Sequence, residues 1–135
     1  MSEPLKWQTL RILVVDDVSF ARKLISTMLN QMGILNVSEA SNGDDALIHL
    51  GRHPVDLLIC DWHMPNMTGL EVLSRVRSQV RRNDLPVLMV TSEQNREKVQ
   101  EAIHAGVTSY IVKPFQPATL KAHIHLCLRT WRWIP

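Results

Sequence analysis

Short apolar runs alternate five times with stretches of helical periodicity, and four of the runs close on a polar or charged residue. This alternation constrains the fold more than any other feature of the chain. The runs cover residues 11–15, 36–40 (the weakest), 55–60, 85–90 and 108–112. Between the first two, Phe20, Leu24, Met28 and Met32 recur four apart with Ile25 and Leu29 beside them, Ser19 placed to cap the start and Gly33 the end. Asn42-Gly43 opens a short helix that closes at Gly51. Thr68 caps a third helix carrying Leu70, Leu73, Val76 and Val80. Val99, Ala102, Ile103 and Ala105 form a fourth stripe, stopped at Gly106. Pro117 suits the first turn of a fifth helix, with Leu120, Ile124, Leu128 and Trp131 on one face. Strand–helix alternation with near-continuous Val, Ile and Leu predicts an α/β fold: a doubly wound parallel sheet of five strands with helices on both faces.

At 135 residues the chain has the size of one domain. Lys and Arg number 15 against 13 acidic residues, an excess too small to call for nucleic acid or a membrane surface as partner. Cys60 and Cys127 lie inside apolar stretches, which fits a reduced, cytoplasmic setting better than a disulfide scaffold. No apolar run approaches the ~18 residues of a membrane span. No Walker loop, G-x-G-x-x-G or G-x-S-x-G occurs, so nucleotide, dinucleotide and serine-hydrolase readings fail.

In open α/β sheets ligands bind beyond the carboxyl ends of the strands, near the point where strand order reverses. The residues at those ends are Asp16 and Asp17, Asp61, Thr91 with Ser92, and Lys113. Three carboxylates in close range repel, and a hard cation with oxygen ligands resolves the repulsion. Mg²⁺ suits the set, being held by one or two carboxylates while it keeps several waters and touches phosphate. Lys113 supplies a point charge on a flexible stem, and Thr91 a hydroxyl, for phosphoryl oxygens. A carboxylate so placed can attack phosphorus and form an aspartyl phosphate, and Asp61, alone at the end of a central strand, is the best nucleophile.

These residues also carry a resemblance. Val14-Val15-Asp16-Asp17, the segment from Asp61-Trp62-His63-Met64-Pro65 to Gly69, Val90-Thr91-Ser92, and Tyr110 through Lys113-Pro114-Phe115 resemble the receiver domain of bacterial two-component response regulators. The likeness runs over residues 9–130, leaving 1–8 and 131–135 as terminal extensions, and is greatest to the single-domain chemotaxis (CheY-like) type. It implies the flavodoxin-like strand order 2-1-3-4-5, of which the chemotaxis regulator is itself a standard example. It implies that Asp61 takes a phosphoryl group from a histidine kinase or phosphotransfer protein. Mg²⁺ would be bound by Asp17, Asp61 and the backbone carbonyl of His63, with Asp16 helping through water. Thr91 and Lys113 would hold phosphoryl oxygens, and the Lys113-Pro114 bond would be cis. Thr91 and Tyr110 would form a switch acting on a target-binding face made of the fourth helix, fifth strand and fifth helix, around Val99, Ile103, Tyr110, Lys121 and His125. Such a protein is a phosphoacceptor rather than an enzyme, a monomer or weak dimer, with no DNA-binding output domain. A phosphate shuttle or sink, or a receiver cut from a longer regulator, is the alternative.

His63 stands two residues past Asp61, where the chemotaxis type carries Asn; Glu93 matches that type. His63 and Glu93 are therefore the residues expected to set how fast the phosphoryl group is lost. An aspartate-nucleophile phosphatase, by resemblance, needs a second Asp where His63 stands. The complete acidic set argues against a purely structural adaptor. Among the other histidines, His123 and His125 lie two apart on a helix and point different ways, and Gly51 separates His49 from His53 as their helix ends, so no zinc site is expected. Arg75, Arg77, Arg81 and Arg82 read as a solvated face, and Trp7, Trp131 and Trp133 as packing at the ends.

Overall fold

A computed structural model describes residues 7–79, 83–92 and 96–129. Its strands are β1 (Arg11–Val15), β2 (Asn36–Ala40), β3 (Leu57–Cys60), β4 (Val87–Thr91) and β5 (Ser109–Val112). The helices are α1 (Ser19–Gln31), α2 (Gly43–Arg52), α3 (Gly69–Ser78), α4 (Arg96–His104) and α5 (Pro117–Arg129). The strands form one parallel sheet in the order β2-β1-β3-β4-β5.

Period-two alternation divides the buried side chains into two layers. Ile12, Val14, Leu57, Ile59, Leu88, Val90 and Ile111 face α1 and α5, meeting Ile25, Leu29, Leu120, Ile124, Cys127 and Leu128. Leu13, Val15, Leu58, Cys60, Val87 and Met89 face the other way, against Ala46, Leu50, Val72, Leu73, Val76 and Ala102 of α2, α3 and α4. Both faces of the sheet are thus covered, as the unbroken apolar runs require.

Several local expectations are corrected. Ser19 does not cap α1: the cap position is Val18, with no side-chain cap, and the Val18 N–H donates to Asp16 Oδ1 at 2.9 Å. That bond closes a tight turn that leads the chain from the acidic loop into α1. The buried face of α1 is Ile25 and Leu29, whereas Phe20 is 77% exposed and Leu24 also lies out, because the neighbouring stripe is the one that meets β1. Ile103 of α4 is likewise exposed, with Ala102 buried in its stead. The third and fourth strands begin two residues later than the apolar runs; before the third, Asp56 turns to Arg11 (3.1 Å to Nε).

Thr68 does cap α3, accepting from the backbone N–H of Glu71, and Asn42 caps α2 in the same way, accepting from that of Asp45. The extension before residue 9 is not free of the core: Trp7 packs on the α1–α5 layer and edge-on to His125, with ring centres 4.9 Å apart. Val80, Arg81, Arg82, Trp131 and Trp133 lie outside the described residues. Both cysteines are free and buried; burial pushes the Cys127 thiol up to about 12, which leaves it unreactive. No helix among the described residues is long and apolar enough to cross a membrane.

Candidate functional site

The sheet register brings the site together. β1 pairs with β3 at Val15 and Cys60, so the next residue of each strand, Asp16 and Asp61, emerges at the same edge where the order reverses. β4 pairs with β5 at Thr91 and Val112, so Thr91 closes β4 and Lys113 follows β5 at that edge. Carboxylate oxygens of Asp16, Asp17 and Asp61 all lie within 4.8 Å of one another. Lys113 Nζ stands 3.0 Å from Asp16 Oδ2 and 3.7 Å from Asp61 Oδ1. The expected set of Asp16, Asp17, Asp61 and Lys113 is one cluster.

Asp61 is only 8% exposed. Its carboxyl is held above the ordinary aspartate range, chiefly because burial penalises the charged form, with Asp16 and Asp17 adding repulsion. Lys113 and the Trp62 N–H, which donates to Asp61 Oδ1 at 2.9 Å, pull the other way. A carboxylate so strained is relieved by a cation. The donor set is all hard oxygen, which fits Mg²⁺ and is a poor match for softer metals.

Asp61 is held by its neighbours. Its N–H donates to Val15 O (2.9 Å), and the Gly69 N–H donates to Trp62 O (2.8 Å). A Cβ at Gly69 would collide with the Asp61 carbonyl oxygen, so only glycine lets α3 start this close to the end of β3. Thr91 is fully buried and Ser92 exposed. The Lys113-Pro114 bond is cis, as expected. His63 is exposed between buried Trp62 and Met64. Glu93 lies outside the described residues.

Tyr110 is half-buried, and its ring meets Trp62 edge-on with centres 6.4 Å apart. Lys98 of α4 lies over the same indole, 5.7 Å from its centre. The residue after Asp61 therefore touches both β5 and α4, a link invisible in the sequence because Trp62 reads only as an apolar loop residue. Arg22, whose guanidinium reaches the Asp16 carbonyl at 2.8 Å, was also missed; on a helix it reads as a solvated cation. Two histidine expectations divide. His123 and His125 do diverge, to Ser109 and Trp7. His49 and His53, by contrast, stack with ring centres 4.5 Å apart, because α2 continues through Gly51 to Arg52.

A doubly wound sheet with three carboxylates and a lysine at its switch point defines the class, and the chain belongs to the response regulator receiver domain family, whose model matches residues 12–125. Its CheY-like, chemotaxis-type character follows from individual relatives. It is 45% identical over 115 residues to the chemotaxis protein CheY of Pseudomonas aeruginosa, spanning 85% of this chain and 93% of that one. It is 43% identical over 114 residues to chemotaxis protein CheY-3 of Vibrio cholerae, spanning 84% and 88%. The solved structure of the chemotaxis response regulator CheY4 of Vibrio cholerae superposes with a TM-score of 0.82 at 37% identity, covering 88% of this chain and 98% of that one.

Proposed function

We propose that Asp61 is a phosphoacceptor and that its phosphorylation switches a protein-binding face of the chain. The observation that carries this reading is the convergence of three carboxylates with Lys113 at the strand ends. Asp61 attacks the phosphorus of a phosphohistidine on a kinase or phosphotransfer protein. The new bond runs from an Asp61 carboxylate oxygen to phosphorus, the phosphorus–nitrogen bond breaks, and the histidine leaves with its electron pair and takes up a proton. Asp17, Asp61 and the His63 carbonyl would hold Mg²⁺ directly and Asp16 through water. Bound there, the ion would supply positive charge to offset that on the transferring phosphoryl oxygens. Lys113 and the Thr91 hydroxyl bind the remaining oxygens. Water later attacks the same phosphorus and returns the free carboxylate, so the chain is a switch and turns over no outside substrate. Its natural setting is the cytoplasm, where kinases of this kind present phosphohistidine.

The output face is α4, β5 and α5, with Val99, Ile103, Tyr110, Lys121 and His125. Thr91 drawn toward the phosphoryl group vacates space that the Tyr110 ring takes up, and Trp62 couples that ring to α4. Incubation with acetyl phosphate and Mg²⁺ tests the reading. One phosphoryl group per chain is expected, lost when EDTA is in excess; labelling that is unaffected by EDTA overturns it.

A further inference from the structure

We infer that Arg22 is a positioning residue for the cation site: it fixes the peptide between Asp16 and Asp17 and so directs the Asp17 carboxylate into the cluster. The inference rests on the functional reading above. Asp16 is pinned at every polar atom. Its N–H donates to Ala40 O at 3.2 Å, its Oδ1 accepts the Val18 N–H at 2.9 Å, and its Oδ2 meets Lys113 at 3.0 Å. The one remaining group, its backbone carbonyl, accepts from Arg22 Nη1 at 2.8 Å. That carbonyl belongs to the peptide that leads into Asp17. Asp17 is exposed, so the peptide that Arg22 holds fixes where its Cβ leaves the chain toward the cluster.

Arg22 is itself held. Its Nε donates to Glu39 Oε1 at 3.0 Å, and the other Glu39 oxygen accepts from Ser26 Oγ at 3.0 Å and from Lys23 Nζ at 3.3 Å. Burial pushes the Glu39 carboxyl up, but the hydrogen bonds from Ser26, Arg22 and Lys23 outweigh it, and the group stays below its ordinary value. Glu39 sits on β2, the edge strand beside β1. The fork of one guanidinium thus ties the acidic loop to a fixed carboxylate on the neighbouring strand. An ammonium has no such fork to offer both acceptors.

The test is the Mg²⁺ dissociation constant of the unphosphorylated chain, by calorimetry, for the unaltered protein, Arg22→Met and Arg22→Lys, each checked by thermal unfolding. Removing a cation near three carboxylates should tighten Mg²⁺ by simple Coulomb attraction. Positioning makes the opposite demand: weaker binding by Arg22→Met, on the order of tenfold, without recovery in Arg22→Lys. Unchanged or tighter binding in folded Arg22→Met, or full recovery in Arg22→Lys, overturns the inference. Should Arg22→Met not fold, Arg22→Lys decides alone: weaker binding supports the inference and unaltered binding refutes it. Absence of Mg²⁺ binding by the unaltered chain overturns the functional reading itself, and this inference with it.

Discussion

Lys113 closes on Asp16 rather than on Asp61, at 3.0 Å against 3.7 Å. The ammonium bridges the two carboxylates from the more deeply buried side, Asp16 being 1% exposed. Its charge is the main influence keeping the Asp61 carboxyl from rising further above its ordinary range. On the proposed function a lysine in this position would serve twice, holding the Asp61 carboxylate ionised before phosphoryl transfer and binding a phosphoryl oxygen after it.

Replacement of that ammonium is therefore expected to act on both steps. In Lys113→Met the Asp61 carboxyl should titrate at higher pH than in the unaltered chain, because the charge that favours its ionised form is gone. Labelling by acetyl phosphate should slow on the order of 100-fold, the usual cost of deleting one charged oxyanion partner. Carbon-13 NMR of the Asp61 carboxyl and the labelling time course read the two effects separately. An unshifted titration would show that Lys113 spends its charge on Asp16 alone.

Exposed His63 stands where a small amide would orient the water that attacks the aspartyl phosphate. An imidazole is bulkier than an amide, so on the proposed reading it would cover the phosphoryl group or hold it by a hydrogen bond. The phosphorylated state of His63→Asn should decay faster than that of the unaltered chain at saturating Mg²⁺. Equal or slower decay contradicts this role.

His123 ties α5 to β5, with its Nδ1 2.6 Å from Ser109 Oγ. Burial lowers its pKa below the ordinary 6.5. The folded chain thus binds fewer protons at this site than the unfolded chain. Above about 6.5 both forms are neutral and nothing is lost; as pH falls below that value the unfolded chain takes up the proton first and stability declines. Proton NMR should place the His123 titration below 6.5, and His123→Gln should remove part of the stability loss between about pH 7 and 5.5. A titration at or above 6.5 would rule this out.

The strand ends were legible because Asp16, Asp17, Asp61 and Lys113 each break off an apolar run, and a parallel sheet must bring such breaks to one edge. The cap at Thr68 was legible from side-chain chemistry alone. α1 was misread because two apolar stripes compete on it: spacing cannot choose between Phe20-Leu24 and Ile25-Leu29, and contact with β1 can. Ile103 and Ala102 pose the same ambiguity, decided by contact with the sheet, where Ala102 is buried and Ile103 is not. Arg22 was passed over for another reason. Its partners are a backbone carbonyl and a residue on the next strand, and neither has any signature in the spacing of the chain.

The central claim is that Asp61 is the single phosphoacceptor, and chemical trapping tests it most directly. An acyl phosphate is reduced by borohydride to the alcohol, so after acetyl phosphate and Mg²⁺ the acceptor aspartate becomes homoserine, and peptide mass spectrometry reads its position. The account predicts homoserine at position 61 alone, and none in Asp61→Asn. Homoserine at 16 or 17 in the unaltered chain, or full labelling of Asp61→Asn, would contradict it.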